Sequence, residues 1–289
     1  MAKSGVAPYK AAMIAFLKMH GLGNDFAVFD ARETGFSPDS ALARALADRR
    51  TGIGCDQLIV IAPPANGADA TMRIFNADGG EVESCGNAAR CVGRLLLSES
   101  GKEMIRLETA GGPLQCRAWE NGLVEVDMGP PQFGWQQVPL SQAMETEQFR
   151  FEAAGEQIEA SALSMGNPHC VIFTKDAETA PVASLGPKIE THPLFPARVN
   201  VEFVTVLSPT RLRMRVWERG AGITRACGTG ACAAAVAAAR RGLAERAVDV
   251  VLDGGTLHIA WRAADGHVLM TGPATLSFRG EIDLEHFAP

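Results

Sequence analysis

This chain of 289 residues lacks an excess of positive charge, has a single Tyr and contains no long apolar run. Its 27 Lys and Arg stand against 33 Asp and Glu, a formal net charge of −6. The basic footprint of a nucleic-acid binder is therefore missing. The longest strongly apolar stretch is Ala231–Ala239, far short of the roughly 20 residues that span a bilayer, so no membrane role is expected. There is no Cys-x-x-Cys pair, which removes the case for a zinc ribbon or a thioredoxin-type motif. No nucleotide-binding glycine motif occurs either. Lys3, Lys10 and the apolar 11–17 look only faintly like a signal peptide and lack a clear cleavage site. Residues 1 to about 13 read as a loose extension.

What is present is a composition that folds. Hydrophobic residues make up 47% and charged residues 21%, enough for a packed core in a chain long enough for two lobes. Seven cysteines, an odd number, in a chain that needs no staples point to a reduced, cytoplasmic protein. They are Cys55, Cys85, Cys91, Cys116, Cys170, Cys227 and Cys232.

The chain repeats itself. Met72-Arg73-Ile74-Phe75-Asn76 is followed by Cys85-Gly86, and Met214-Arg215-Val216-Trp217-Glu218 by Cys227-Gly228, at an offset of 142 residues. Gly23-Asn24 matches Gly166-Asn167, Val28 matches Val171 and Gln57 matches Asn200, each at 143. Ordered matches at nearly one offset predict a duplicated fold with a pseudo-two-fold axis. Cys85 and Cys227 then face one another across a cleft between the halves.

β-rich runs dominate: 26–29, 57–61, 71–75, 123–127, 171–173, 201–206, 212–217, 248–252 and 257–261. Asp78-Gly79, Asn121-Gly122, Asp253-Gly254 and Asp265-Gly266 mark turns between several of them. Ser37-Pro38 predicts the start of a helix over 39–50. Helical spacing follows Cys85, through Ala88, Cys91, Val92, Leu95 and Leu96, and an alanine-rich helix follows Cys227. Each cysteine stands at a helix start.

A helix N-terminus carries partial positive charge and unpaired N–H groups. It is expected to lower a thiol toward neutrality and to bind a carboxylate. Two such termini on opposite sides of one carbon predict that one thiolate removes a proton while the other thiol delivers one to the opposite face, without a cofactor. The remaining five cysteines read as core. The amides Asn24, Gln57, Asn76, Asn167 and Asn200 both donate and accept, and suit a zwitterionic small molecule. The second half adds Arg219, able to bind a carboxylate bidentately, with Glu218 and His169 to hold an ammonium or tune a thiol. No metal site is expected. A different class, a non-catalytic thiol protein acting as redox sensor or metal binder, remains the rival at this point.

The stretches Phe16-Leu17-Lys18-Met19-His20-Gly21-Leu22-Gly23-Asn24-Asp25-Phe26, Asn76-Ala77-Asp78-Gly79 with Cys85-Gly86-Asn87-Ala88-Ala89-Arg90, Gly166-Asn167-Pro168-His169, and Glu218-Arg219-Gly220-Ala221-Gly222 with Ala226-Cys227-Gly228-Thr229-Gly230 resemble the diaminopimelate epimerase family. The resemblance implies an α/β (α+β) fold of two pseudo-symmetric lobes, each a curled, mostly antiparallel sheet around a central helix, with the site in the cleft. The lobes are placed at 1–131 and 132–276, with 277–289 returning to the first. It implies a homodimer that interconverts LL- and meso-diaminopimelate in lysine and peptidoglycan synthesis. Cys85 is then proton donor and Cys227 acceptor in the LL-to-meso direction. Gly86, Asn87, Gly228 and Thr229 hold the reacting carboxylate, and Asn24, Gln57, Asn76, Asn167, Asn200, Glu218 and Arg219 bind the rest. His169 and Glu218 tune the thiols. The alternative is another cofactor-independent amino-acid racemase or isomerase of the same fold. Gly80, Ile223 and Phe278 depart from the family pattern, where Ser, Glu and Tyr are common.

Overall fold

A computed structural model describes residues 13–83 and 85–287; the expected N-terminal extension falls almost wholly outside them. The first half runs β1 (Met13–Gly21), β2 (Asn24–Asp30), α1 (Ser40–Ala47), β3 (Gln57–Ala62), β4 (Ala70–Asn76), β5 (Glu81–Val82), α2 (Gly86–Ser100), β6 (Met104–Thr109), β7 (Gly112–Ala118) and β8 (Val124–Asp127). The second runs β9 (Phe149–Ala153), β10 (Glu156–Ser164), β11 (Pro168–Phe173), α3 (Val182–Glu190), β12 (Asn200–Ser208), β13 (Arg211–Glu218), β14 (Gly222–Ile223), α4 (Gly228–Arg240), β15 (Ala247–Leu252), β16 (Gly255–Trp261) and β17 (Val268–Gly272), and β18 (Thr275–Asp283) closes the chain.

The pairing pattern is the same twice. In the first half β1 and β2 are antiparallel, β2 and β3 parallel, β3 and β4 antiparallel, β4 and β6 parallel, then β6, β7 and β8 antiparallel in turn. In the second half β10 to β17 repeat each step. The register carries the offset seen in sequence: Phe26 pairs with Gln57, and His169 with Asn200. β8 pairs with β17 and joins the halves. β18 returns to pair with β1, as β9 pairs with β10.

Each half curls around one helix. The first two turns of α2 and nearly all of α4 are buried, and a helix apolar all round belongs inside a core. The small side chains of Ala231 and Ala233–Ala238 let surrounding strands approach α4 closely. The four Asp-Gly and Asn-Gly turns lie where expected, with Gly79, Gly122 and Gly266 at positive φ. One helix start does not. Asp39, whose carboxylate accepts from the Leu42 amide at 2.8 Å, caps α1. Ser37 instead accepts from Arg73, and the helix stops at Ala47 rather than Arg50.

The turn between β1 and β2 places Leu22 and Gly23 at φ 58° and 90°, the left-handed conformations of a tight hairpin. The turn between β15 and β16 braces it. A Cβ on Gly254 would stand 1.9 Å from the Leu22 carbonyl oxygen, and the Gly254 amide donates to Arg225, two residues before Cys227. Both groups are backbone, so neither can rotate aside. Gly254→Ala should cost about 1–3 kcal/mol, read as a lower urea midpoint at unchanged slope. A wild-type midpoint would mean that the brace yields freely.

Candidate active site

Cys85 and Cys227 are the N-caps of α2 and α4, both extended, at φ −149°, ψ 111° and φ −115°, ψ 111°. Gly86 and Gly228 open the helices against one side chain. A Cβ on Gly86 would lie 2.7 Å from Met270 Cε, and one on Gly228 3.0 Å from Met270 Sδ. The two helix starts therefore converge on Met270. Asn87 crosses between them: its amide donates to Asn24 Oδ1 at 3.1 Å and more weakly to the Ala226 carbonyl at 3.4 Å. Both cysteines are free thiols; Cys85 is half-buried and Cys227 buried. The other five cysteines are buried in the cores.

The flanking amides repeat with a change of sense. In the first half Asn24 accepts from Asn87. In the second half Asn167 donates to Thr229 Oγ1 at 3.2 Å. Asn24 is fixed from behind by Asp56, which accepts from its Nδ2 at 3.0 Å. Asp56 is tied in turn to Asp25 and Arg49. Burial raises Asp25, but Arg49 and Lys18 hold it down to about 2. Gln57 donates to Asn76 Oδ1 at 2.9 Å across β3 and β4. The buried Gln57 Oε1 and Asn87 Oδ1 have no hydrogen-bond partner, and such acceptors are costly to leave unpaired.

Asn200 donates to the Pro168 carbonyl and accepts from the Arg219 amide at 2.9 Å. The Gly220 amide donates to Glu190 Oε1 at 3.0 Å. These bonds fix the turn that carries Glu218 and Arg219. Glu218 accepts from Thr224 at 2.7 Å, and burial raises its pKa. Its charge is felt by both Cys85 and Cys227 and disfavours either thiolate. Arg219 is exposed, with its guanidinium on the Ala197 carbonyl at 3.2 Å, and is the one expected site residue whose side chain turns to the surface.

The expected lowering of the thiols does not occur. Burial pushes Cys85 up to about 11, against the helix-start amides of Ala88 and Asn87 and with the help of the Glu218 charge. Burial also carries Cys227 well above the ordinary thiol range, with the charges of Glu218 and Glu202 adding to it. Desolvation of a thiolate outweighs the partial charge of a helix terminus at this depth.

Three residues that matter here are not evident in the sequence: Glu202, Glu190 and Asp56. Glu202 is the most consequential, because it holds His169 in a fully buried pair at 2.7 Å. Its signal is an acid inside the apolar run Val201–Val206, two places along from Asn200 and so on the same face of the strand. Among the described residues no group of three or more His, Cys, Asp or Glu is placed to hold a metal ion.

The duplicated architecture recurs in solved structures of low sequence identity, which share this fold. A hydroxyproline epimerase from Agrobacterium vitis superposes with a TM-score of 0.68 at 20% identity, covering 96% of this chain and 94% of its own. A predicted epimerase from Pseudomonas aeruginosa gives 0.67 at 20% identity, covering 93% and 99%. Sequence narrows the class. The diaminopimelate epimerase family model matches residues 16–134 and 161–277, and the chain belongs to that family. Among its relatives, the diaminopimelate epimerase of Rhodospirillum centenum is 55% identical over 269 residues, 92% of this chain and 91% of that protein. The diaminopimelate epimerase of Phenylobacterium zucineum is 55% identical over 270 residues, 92% and 97% respectively.

The elevated thiols make a direct prediction. Alkylation by iodoacetamide reports the thiolate fraction. The rate at Cys85 should climb about tenfold per pH unit from pH 7 to 9 without levelling, as followed by mass-spectrometric peptide mapping. A plateau near neutral pH would restore the helix terminus as the dominant influence.

Proposed function

We propose that this chain interconverts LL- and meso-2,6-diaminopimelate by transferring protons between the substrate and Cys85 and Cys227, without a cofactor. The observation that carries this reading is the convergence of two cysteine-capped helix starts on Met270. A carbon held there meets a sulfur on each face. Its carboxylate meets the amides that open α2 and α4, from Gly86, Asn87, Gly228 and Thr229. Those amides stabilise the negative charge that grows when the α-proton leaves.

In the LL-to-meso direction the Cys227 thiolate takes the α-proton. The C–H electron pair moves onto the α-carbon and its carboxylate. The Cys85 thiol then gives its proton to the opposite face. The site ends as a Cys227 thiol and a Cys85 thiolate, so the reverse reaction starts from the mirror arrangement. The high resting thiols require that a thiolate be stabilised once substrate is bound. The substrate's α-ammonium supplies the nearby positive charge. His169 and Glu218 tune the sulfurs, Glu218 through the charge that reaches both.

Asn24, Gln57, Asn76, Asn167 and Asn200 bind the remainder of the substrate, with Glu218 facing an ammonium and Arg219 the distal carboxylate. The unpaired Gln57 Oε1 and Asn87 Oδ1 favour a ligand with donors. Arg219 lies at the surface in this structure, so in this reading it folds onto the carboxylate when substrate enters. The described residues up to 131, with 277–287 returning to them, form one lobe and 132–276 the other. The protein works in the cytoplasm, in lysine and peptidoglycan synthesis, as a homodimer. The exposed Phe278 on β18 is an apolar side chain that such pairing would cover.

Incubation with LL-diaminopimelate in deuterium oxide should yield meso product carrying α-deuterium. Cys85→Ala and Cys227→Ala should each lower turnover by about 10²–10⁴-fold while circular dichroism stays native. Wild-type turnover in either variant would end the two-thiol reading. Arg219→Met should lower kcat/KM by about 10- to 100-fold and narrow the preference over an analogue lacking the distal carboxylate. An unchanged preference would make Arg219 structural.

A further inference from the structure

The two cysteines have different surroundings despite the repeat. Behind Cys227 runs a continuous line of polar atoms. Glu202 Oε1 lies 2.7 Å from His169 Nδ1, and both side chains are fully buried. His169 Nε2 lies 2.9 Å from Asn167 Oδ1. Asn167 Nδ2 donates to Thr229 Oγ1 at 3.2 Å, and Thr229 Oγ1 stands 3.6 Å from Cys227 Sγ. Among the described residues Cys85 has no such line. Phe26 and Ile59 occupy the places of His169 and Glu202 in the repeat, and no side-chain capping bond reaches the Cys85 sulfur.

The chemistry of the line gives it a direction. An amide oxygen only accepts, so His169 Nε2 carries a hydrogen. One further hydrogen then lies between Nδ1 and Glu202 Oε1. Thr229 Oγ1 already accepts from Asn167, which leaves its own hydrogen free to point at sulfur. Each donor from His169 onward thus faces Cys227. If the Nδ1 partner were lost, a neutral ring could carry its hydrogen on Nδ1, turn the Asn167 amide over and reverse the line. The other Glu202 oxygen is buried with no partner, a cost that packing alone does not explain.

We propose that Glu202 is a positioning residue for Cys227: by holding His169 it fixes the direction of this line, so that the Thr229 hydroxyl supports the Cys227 thiolate. The inference rests on Cys227 being a reacting thiol. The charged and titratable groups that face the line are Glu202 on β12, His169 on β11 and Glu218 on β13, while Cys170 turns to the opposite face of β11. Two influences of Glu202 therefore oppose one another. Its negative charge disfavours the thiolate directly, and the line it sets favours it. Removing the side chain tells them apart by sign.

The experiment measures iodoacetamide alkylation of Cys227 and Cys85 in the same molecules, between pH 7 and 10, for the wild type, Glu202→Leu, Glu202→Gln and Thr229→Val. Alkylation needs no substrate, so its outcome is separate from whether diaminopimelate is turned over. Glu202→Leu and Thr229→Val should each slow Cys227 about tenfold at a given pH and leave Cys85 within about twofold. Combined, they should slow it no further than either alone, because both break one line. Glu202→Gln, whose amide can still bond Nδ1, should keep Cys227 within about threefold of wild type. Faster alkylation of Cys227 in both Glu202 variants would reduce Glu202 to a bare charge and overturn the proposal. So would an unchanged rate in Thr229→Val, or equal slowing of Cys85. If Glu202→Leu does not fold, Thr229→Val and Glu202→Gln still decide the matter.

Discussion

The site depends on the antiparallel pairing of β8 with β17. Val126 and Met270 are partners in that pair. They also hold equivalent places in the two halves, since Cys116 pairs with Val126 and Ile259 with Met270. The local two-fold axis therefore passes between them. A residue on such an axis is the only kind that can touch both copies of a repeated element in the same way. Met270, with its long flexible side chain, touches the first glycine of both α2 and α4. A Cβ at Gly86 or Gly228 would press on that methionine, whose flexible end would have to shift. The cysteines, one residue earlier, inherit their positions from this contact.

From that constraint follows a division of labour. Whatever lies near the axis is duplicated: a cysteine, a glycine and a helix start from each half. Whatever lies further out is free to differ. Gln57 pairs with Asn76 across β3 and β4, while at the matching positions Asn200 and Glu218 are joined only through the backbone of Arg219. Phe26 is replaced by His169 and Ile59 by Glu202. His169, Glu202, Glu218 and Arg219 are asymmetric residues of the second half, and Arg90 is one of the first. It is a fully buried residue of α2 itself, bonded to Met270 Sδ and the Pro273 carbonyl. Burial there lowers its pKa, and no carboxylate is among the groups that offset it.

How much of this was legible in the sequence follows the range of the forces involved. The repeat was legible because paired strands preserve spacing: the offset between Phe26 and His169 is also the offset between their partners. The turns were legible because Asp-Gly and Asn-Gly chemistry is local. The helix α3 was not. It contains Gly186 and Pro187, poor helix formers, and is held by packing. A Cβ on Gly186 would stand 2.5 Å from Trp217 Cβ. The protonation of the thiols was misread for the same reason. A helix start is visible in sequence, but the depth of burial that overrules it is set by strands drawn from both halves. Glu202 was hidden because its partner, His169, lies on a different strand.

A high resting thiol alters how the proposed chemistry must begin. Two neutral thiols carry no charge into the buried site, so the empty site avoids the cost of burying a thiolate, and in the proposed chemistry the Cys227 proton passes to solvent as substrate binds. It also leaves little thiolate to be oxidised or alkylated. Charge enters with a zwitterion, whose carboxylate lies on two helix starts and whose ammonium lies beside the sulfurs. Each of these lowers the cost of the thiolate that removes the proton. A molecule lacking either group leaves that cost in place. In the proposed mechanism, burial of the cysteines therefore does more than fill the core: it would make proton abstraction conditional on a substrate that is an α-amino acid, before any distal residue is consulted.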